Sequence, residues 1–557
     1  MLALALLLAC TKDAPIPDDN AVAPGSDGPQ PPALADSDPD PMVFHGEITA
    51  APATWSIGAM EIEGLAYNGS VPGPVIRVPV GARVVVDFTS GIEDHTSIHW
   101  HGIEGNNAAD GTAVTQAGIA PGETFTYDFV VTRPGIYWYH PHAHGAQGVF
   151  EGLYGVLIVE DPAEAALVAS GALPADDRIF VLSDISEQNG KPWSVEVDNA
   201  MEIMNGTEGE HMLVNGQEDP VFDVPAGGAV RLRVLNTSIT RFWRLSVPGA
   251  TLHRVGGEGG LLDRVIVEGG TIVGAQSRLS TGEDLGPVDV DLGFPKGEIV
   301  LAPADRADLV LVADGAPGDE LAIRWEDVAR GRHTMWMEGD EMMMGAVEDD
   351  GTRPGEQVAT LRLTDAPAGT WTGEEGSPLL ESVGRAVDVL AGDGALDWTG
   401  DAAMVFSEEM DMFQDGAGIW QMTTALFVDG ETWMADHDVG PSQPEAPTAV
   451  HAKLGQTIDW EIRNDTEMGH PLHIHGFSYQ PLSFRRVDEE NDTVTTWTPG
   501  YAELEDTTLL PGETSLFIRM RLDDPVGNGG GLGRWMRHCH ILQHGENGMM
   551  SELIVEP

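Results

Sequence analysis

The sequence predicts an all-β protein of three related domains, and three observations carry that prediction. Glycine and proline are abundant, 68 and 37 in 557 residues, and they separate short alternating apolar runs in the manner of strands joined by turns. A glycine followed three residues later by an apolar alternation recurs at Gly81 (Val84, Val86, Phe88), Gly227 (Val230, Leu232, Val234) and Gly455 (Ile458, Trp460, Ile462). Period-two alternation marks half-buried strands, and three copies mark repeated domains. Length agrees, since domains of roughly 150 residues make about three. No stretch has the heptad pattern of a long helix.

Residues 1–10 read as an export signal. The apolar run Leu2 to Ala9 ends in Leu7-Leu8-Ala9-Cys10, which resembles a bacterial lipobox, where cleavage precedes a cysteine that takes lipid. No basic residue precedes Lys12. Residues 11–41, rich in Pro, Asp and Ala, are too poor in large apolar side chains to build a core and are expected to be a disordered tether. The first domain is then expected over 42–162, a linker over 163–176, the second domain over 177–364, a linker over 365–402 and the third domain over 403–557. No later apolar run approaches the roughly 20 residues that span a bilayer. Cys10 and Cys539 lie in unrelated contexts, which excludes a disulfide framework.

Acidic residues outnumber basic ones by 89 to 29, a net charge of -60. Such a surface repels nucleic-acid phosphates and favours cationic partners. Its plain physical use is solubility, above all where salt screens the self-repulsion.

Four short clusters hold ten of the 18 histidines: His99-Trp100-His101-Gly102, His140-Pro141-His142, His470-Pro471-Leu472-His473-Ile474-His475-Gly476, and His538-Cys539-His540 followed by His544 and Met549. Counting 18 residues from Gly81 reaches His99, and the same count from Gly455 reaches His473. From Gly227 it reaches Leu245, in a stretch without histidines. The middle domain therefore keeps the scaffold and lacks the ligands. Gly152 to Val159 and Gly548 to Val555 close the outer domains in parallel fashion, so these two domains are expected to meet and share one metal site.

In a strand, residues i and i+2 share a face, so each HxH triplet aims two imidazoles at one target while its middle residue faces away. Four such pairs suffice for a multinuclear site. Cys539 must then serve a second metal on the opposite face. With His470, His544 and Met549 it forms a His2Cys set with a weak axial thioether, the ligand set of a blue copper electron-transfer centre. A cysteine nucleophile needs one activating base rather than ten histidines, and zinc, satisfied by four ligands, leaves the remaining histidines unexplained.

At these residues the chain resembles the three-domain multicopper oxidases: laccases, bilirubin oxidases and bacterial cuprous oxidases. The four motifs stand as HWHG, HPH, HPLHIHG and HCHILQHGENGMM, and the likeness runs from about residue 42 to the end. Tyr67-Asn68-Gly69 before Pro72-Gly73-Pro74, Leu213-Val214-Asn215-Gly216, and Asp506-Thr507 before Pro511-Gly512-Glu513 support it. The resemblance implies three cupredoxin-like Greek-key β-barrel domains and four copper ions. His470, Cys539, His544 and Met549 would hold type 1 copper, and His99 and His473 type 2 copper. His101, His140, His142, His475, His538 and His540 would hold the type 3 pair. Pro141 stands where the later triplet has Cys539, which implies no type 1 centre in the first domain.

It further implies that electrons enter at the type 1 copper and pass through Cys539 to His538 and His540, where O2 is reduced to water. Asp110 matches the family's acidic residue beside the type 2 copper and is the expected proton relay; its alternative is a turn-forming Asp-Gly. Many bacterial relatives carry a carboxylate directly after the second type 1 histidine, where this chain has Gly545, with Glu546 the substitute. His45, His95, His144, His211, His253, His333, His437 and His451 read as surface or satisfied core residues, with His144 within reach of the cluster.

The donor is expected to be a phenol or similar aromatic. Clusters at Met335, Met337, Met342, Met343 and Met344, and at Met404, Met410 and Met412, supply soft ligands suited to Cu(I) and support a metallo-oxidase acting on Cu(I), Fe(II) or Mn(II). A copper-binding envelope protein without turnover is the reading from a different class. A copper nitrite reductase is disfavoured, being shorter and without the HCH bridge. The expected partners are O2 and a small reducing substrate, with no nucleic acid and a lipid anchor at Cys10. The expected form is a monomer, exported to the cell envelope as a periplasmic or outer-membrane lipoprotein, or extracellular.

Overall fold

A computed structural model of the protein describes residues 28–195, 199–338, 341–347, 350–369, 371–387, 390, 402–414 and 420–557. Each of the three domains packs two sheets around its own core. In the first, one sheet runs Met60–Tyr67, Val43–Ile57, Arg83–Ser90, Thr124–Val130, and the other Ile76–Pro79, Gly155–Glu160, Gly135–His140, His99–His101. Ile48, Val84, Val86, Phe88, Trp100 and Tyr139 fill the space between them. Six- and five-stranded sheets enclose Phe222, Val230, Leu232, Trp243, Leu245 and Trp325 in the middle domain. In the third, eight- and five-stranded sheets enclose Phe406, Leu472, Ile518, Trp535, Cys539 and Met549.

The glycine repeat has a backbone cause. Gly81, Gly227 and Gly455 all adopt left-handed φ, 88°, 71° and 84°, a region that costs other L-residues. Each turns the chain into a strand: Arg83–Ser90, Ala229–Asn236 and Thr457–Asn464. Each also donates its N–H to the residue just past the end of that strand's antiparallel partner: Val131, Ala313 and Leu522.

The registers follow the counted spacing. His99 pairs with His140 in the first domain and His473 with His538 in the third. In the middle domain Leu245 pairs with Ile299 and Trp325 and is buried in the core. Alternation places the middle residues of two triplets, Trp100 and Cys539, in the cores of their own domains. The flanking imidazoles are thereby left to face the neighbouring domain.

Several expected boundaries are corrected. Of the tether 11–41, residues 28–41 lie against the folded body. Leu34 N–H donates to Val75 O at 2.8 Å, Val75 N–H to Pro32 O at 2.7 Å, and Leu34 packs on the first core. An extended, proline-rich segment finds its backbone partners at a sheet edge even without a core of its own. The lipobox ending at Cys10 lies outside the described residues. Segment 163–176 is more than a linker, since helix Glu164–Ser170 buries Leu167 and sends Glu164 to Arg231 and Arg233. Within 365–402, Leu379 and Leu380 are buried. Nor is 177–364 self-contained: its hairpin Thr271–Leu279 and Asp284–Asp291 pairs with Thr493–Trp497, extending the third domain's sheet.

Candidate metal centre

The eight histidines of the HxH pairs, from strands and turns of the first and third domains, converge where those domains meet. His99 and His101 stack on His475 and His473 respectively, with ring centroids 4.0 and 3.8 Å apart. Their nitrogens form three groups, the first two sharing His101: His99, His101 and His473; His101, His140 and His540; His142, His475 and His538.

Outer hydrogen bonds fix the tautomer of most rings. Backbone carbonyls accept from Nδ1 of His99 (Asp110 O, 2.7 Å), His140 (Pro141 O, 2.9 Å), His473 (Asp506 O, 2.8 Å) and His538 (Cys539 O, 2.9 Å). His101 is turned the other way, with Nε2 donating to Asp506 Oδ1 at 2.8 Å. The Asp110 carboxylate takes Nδ1 of His475 at 3.2 Å. Each ring so anchored presents its remaining nitrogen, with its lone pair, to the shared centre.

Those inward nitrogens fit a metal cluster and little else. Nε2 of His99, His140 and His473, Nδ1 of His101 and both ring nitrogens of His540 are buried and find no hydrogen-bond partner among the described residues. Buried unsatisfied groups are costly. His475 Nε2 and His538 Nε2, both lone-pair bearers, stand 3.0 Å apart; they repel unless a cation is shared between them. Burial, reinforced by neighbouring imidazoles, holds His101, His140, His142, His475 and His540 far below the usual histidine range, and His538 at about 3. The rings are thus neutral, the form that binds metal.

A second centre lies on the opposite face of the same strand. Cys539 Sγ is 3.4 Å from His470 Nδ1 and 3.7 Å from His544 Nδ1, and those two nitrogens are 3.2 Å apart. Their far nitrogens are engaged: His544 Nε2 donates to Met204 O, and His470 Nε2 meets Thr466 Oγ1, both at 2.9 Å. Met549 is buried beside them, its carbonyl accepting from Cys539 N–H at 3.1 Å and its own N–H donating to His544 O at 2.9 Å. Burial pushes the Cys539 thiol far above its usual range, so it is inert as a nucleophile. Coordination to a metal removes that proton.

Asp110 serves both as a turn residue and within the cluster. Gly111 has φ +79°, and a Cβ there would stand 1.8 Å from Ile98 O, so the chain passes too tightly for any other residue. That close passage buries Asp110 against His99 and His475, with Thr112 Oγ1 donating to its carboxylate at 2.8 Å. Glu546 lines a cavity of about 680 Å³ that reaches His140, His142 and His538, and its Oε1 accepts from Ala146 N–H at 3.0 Å. Gly545 lines the same cavity without a side chain.

Of the eight histidines set aside, His45, His211 and His451 lie toward the surface and His333 is buried, and each faces a carboxylate. His144 is grouped with Asp94 and His95 rather than with the cluster. Sequence reasoning missed the supporting residues. Asp506 anchors both His101 and His473, and Arg306 grips Asp506 through two nitrogens while donating to Ile136 O at 2.8 Å. Glu258 accepts from Asp506 N–H and Thr507 N–H. Asp506-Thr507 was visible as a motif, but its partners were not.

Two segments of the chain, residues 49–164 and 420–557, match family models described as multicopper oxidase. Multicopper oxidase MmcO of Mycobacterium tuberculosis is 26% identical, covering 91% of this chain and 86% of that protein. Laccase-2 of Botryotinia fuckeliana is also 26% identical, over 88% of this chain and 78% of that protein. Among solved structures, a multicopper oxidase from Campylobacter jejuni described as a metallo-oxidase superposes with a TM-score of 0.66 at 22% identity, covering 95% of this chain and 96% of the other.

Removing one partner of a buried ion pair strands the other charge, at about 3–5 kcal/mol. Arg306→Met should therefore lower the free energy of urea unfolding by that amount. Arg83→Met, which breaks an exposed pair with Asp128, should leave the midpoint unchanged.

Proposed function

The chain belongs to the multicopper oxidase family, and from that premise we propose that it couples one-electron oxidation of a small reducing donor at the Cys539 centre to reduction of O2 at the histidine cluster. One observation carries the proposal. In His538-Cys539-His540 the central sulfur sits with His470 and His544, while the flanking rings enter two different groups of the cluster. A single strand segment thus joins two metal centres by a few covalent bonds.

Copper bound there would supply the redox chemistry, four electrons taken singly and delivered with four protons to one O2 to give two waters. We assign type 1 copper to His470, Cys539, His544 and Met549 and type 2 copper to His99 and His473. The type 3 pair falls to His101, His140, His142, His475, His538 and His540. The protein's part is to keep these imidazoles oriented and shielded from bulk water. Asp110, in contact with His99 and His475, is the proton carrier beside the type 2 position. Glu546, in the cavity that opens on His142 and His538, takes the second route that Gly545 cannot. Export to the envelope, supported by Leu7-Leu8-Ala9-Cys10, would bring the enzyme to both oxygen and metal.

For the donor, the surroundings of His544 favour a metal ion over a phenol. His544 is fully buried and its outer nitrogen is covered by Met204, in helix Ala200–Asn205. A bulky aromatic cannot reach that imidazole edge directly. The next residue, Asn205, exchanges two hydrogen bonds of 2.8 Å with the backbone of His333, at the base of hairpin His333–Glu338 and Glu341–Ala346. The hairpin register sets Met335 opposite Met344 and Met337 opposite Met342. A methionine-rich hairpin whose base is bonded to the helix covering His544 supports Cu(I), a soft ion suited to thioethers, as substrate.

Replacing Cys539 with Ser should remove the blue colour and abolish O2 uptake with every donor, with one copper equivalent lost and the cluster copper retained; persisting turnover would refute the connection. Asp110→Asn should lower kcat by about 10²–10⁴-fold, the range of a lost acid–base group, at unchanged copper content. In oxygen-electrode assays comparing Cu(I), Fe(II), Mn(II), a simple phenol and bilirubin, Cu(I) should be oxidised fastest. Substituting Leu at the five methionines from Met335 to Met344 should depress that rate alone. No uptake with any donor would leave only a copper-binding protein.

A further inference from the structure

The cavity that reaches His140, His142 and His538 opens between three loops, and its mouth carries a second group of metal-binding side chains. Asp94, His95 and His144 place their ligand atoms within 4.8 Å of one another. Asp94 bridges the two rings, its Oδ1 3.0 Å from His95 Nδ1 and its Oδ2 3.6 Å from His144 Nε2. Asp438 adds an oxygen 3.6 Å from His95 Nδ1.

Deeper in the cavity stands His437, its ring 6.2 Å from that of His95 and 6.0 Å from that of His142. Its Nδ1 is buried and finds no partner among the described residues. A buried ring nitrogen left without a partner is costly unless a ligand engages it. That is the same signature the cluster nitrogens show.

Imidazoles combined with a carboxylate suit Cu²⁺ or Zn²⁺ rather than Mg²⁺ or Ca²⁺, which want oxygen alone, and Cu²⁺ binds most tightly of the first-row divalent ions. Unlike the cluster, this group is open: the side chains of Asp94 and His144 are 68% and 47% exposed. An ion held there can exchange with solvent. The excess of 89 acidic over 29 basic residues concentrates cations at the surface.

We propose that Asp94, His95, His144 and His437 form an additional transition-metal site, and that it receives Cu²⁺ at the cavity mouth and passes it inward toward His142. The site stands on its own residues; the transfer rests on reading the eight-histidine cluster as a copper site. Transfer is a ligand exchange without change of oxidation state. His437, lying between His95 and His142, is the intermediate ligand.

The test uses the full-length protein. Copper-loaded enzyme equilibrated with Zn²⁺ and measured by metal analysis should hold one more zinc equivalent than the His95→Ala/His144→Ala variant, whose zinc affinity should fall by at least about tenfold. Asp94→Asn should weaken it similarly. His451→Ala, at a surface histidine paired with Glu445 and Glu556, should not. In a second measurement, copper-free protein is given Cu²⁺ and the chelator-resistant copper is followed in time. The double variant should load several-fold more slowly than wild type yet reach the same final content, with an unchanged melting temperature. Wild-type zinc binding by the double variant, or loading at the wild-type rate, overturns the proposal. Failure of the cluster reading is distinguishable, because wild type would then retain no chelator-resistant copper while still binding the extra zinc.

Discussion

The buried pairing of Arg306 with Asp506 is the interaction on which the central site depends. Asp506 accepts from His101 of the first domain through its carboxylate and from His473 of the third through its carbonyl. It can do so as a carboxylate only if something offsets its burial. Burial alone would raise its pKa, but Arg306 and His101 outweigh it and hold the carboxyl well below the usual range. Arg306 comes from the middle domain and also donates to Ile136 O in the first, so one guanidinium touches all three domains. Glu258, from the same middle domain, is driven by burial well above its ordinary value and accepts the two backbone N–H groups that follow Glu505. The middle domain, which has no cluster ligand, therefore orients the ligands of the other two.

Much of this was legible in the sequence, for reasons that are local. HxH spacing determines which face a side chain takes, and the glycine repeat aligns His99, Leu245 and His473 by simple counting. Both are short-range consequences of strand geometry. What stayed hidden was long-range. Arg306 and Asp506 are 200 positions apart, His101 and Asp506 are 405, and no periodicity links them. The same holds for Met204, whose carbonyl covers His544 across 340 positions. His95 and His437 read as surface or satisfied core residues and His144 as a neighbour of the cluster; they lie far apart in sequence, and only folding brings them to one cavity. The tether was misjudged at its inner end, because composition reports the lack of a core but not the presence of a neighbouring sheet edge.

The two centres are prepared by different means. In the cluster, polar outer contacts with Asp110, Asp506 and backbone carbonyls choose which nitrogen each ring presents, and mutual burial keeps the rings neutral. Around Cys539 the surroundings are apolar: Phe406, Leu472, Ile541 and Met549 belong to the same core. A hydrogen-bonded, carboxylate-lined cluster can accept and release protons. The Cys539 group is buried in that apolar core, with the outer nitrogen of His544 covered by Met204 O. That division suits a reaction in which protons are consumed at one place and electrons enter at another.

Strand register is what keeps the two centres apart and yet joined. Strand Gly533–Cys539 pairs with His470–Ile474 so that His473 lies opposite His538 and Leu472 opposite Cys539. Each strand thereby carries side chains of both groups, His470 and Cys539 in one, His473 and His538 in the other. Neighbouring residues of a strand point to opposite faces, and a slip of one residue exchanges the faces wholesale. A slipped register would turn Cys539 into the polar cluster and His538 into the apolar core, an imidazole without a partner on one side and a thiol among neutral rings on the other. The neighbouring strand Met550–Glu556, paired with Gly533–Cys539 along its length, fixes that register from the second edge. The separation of the two groups is therefore set by backbone hydrogen bonding.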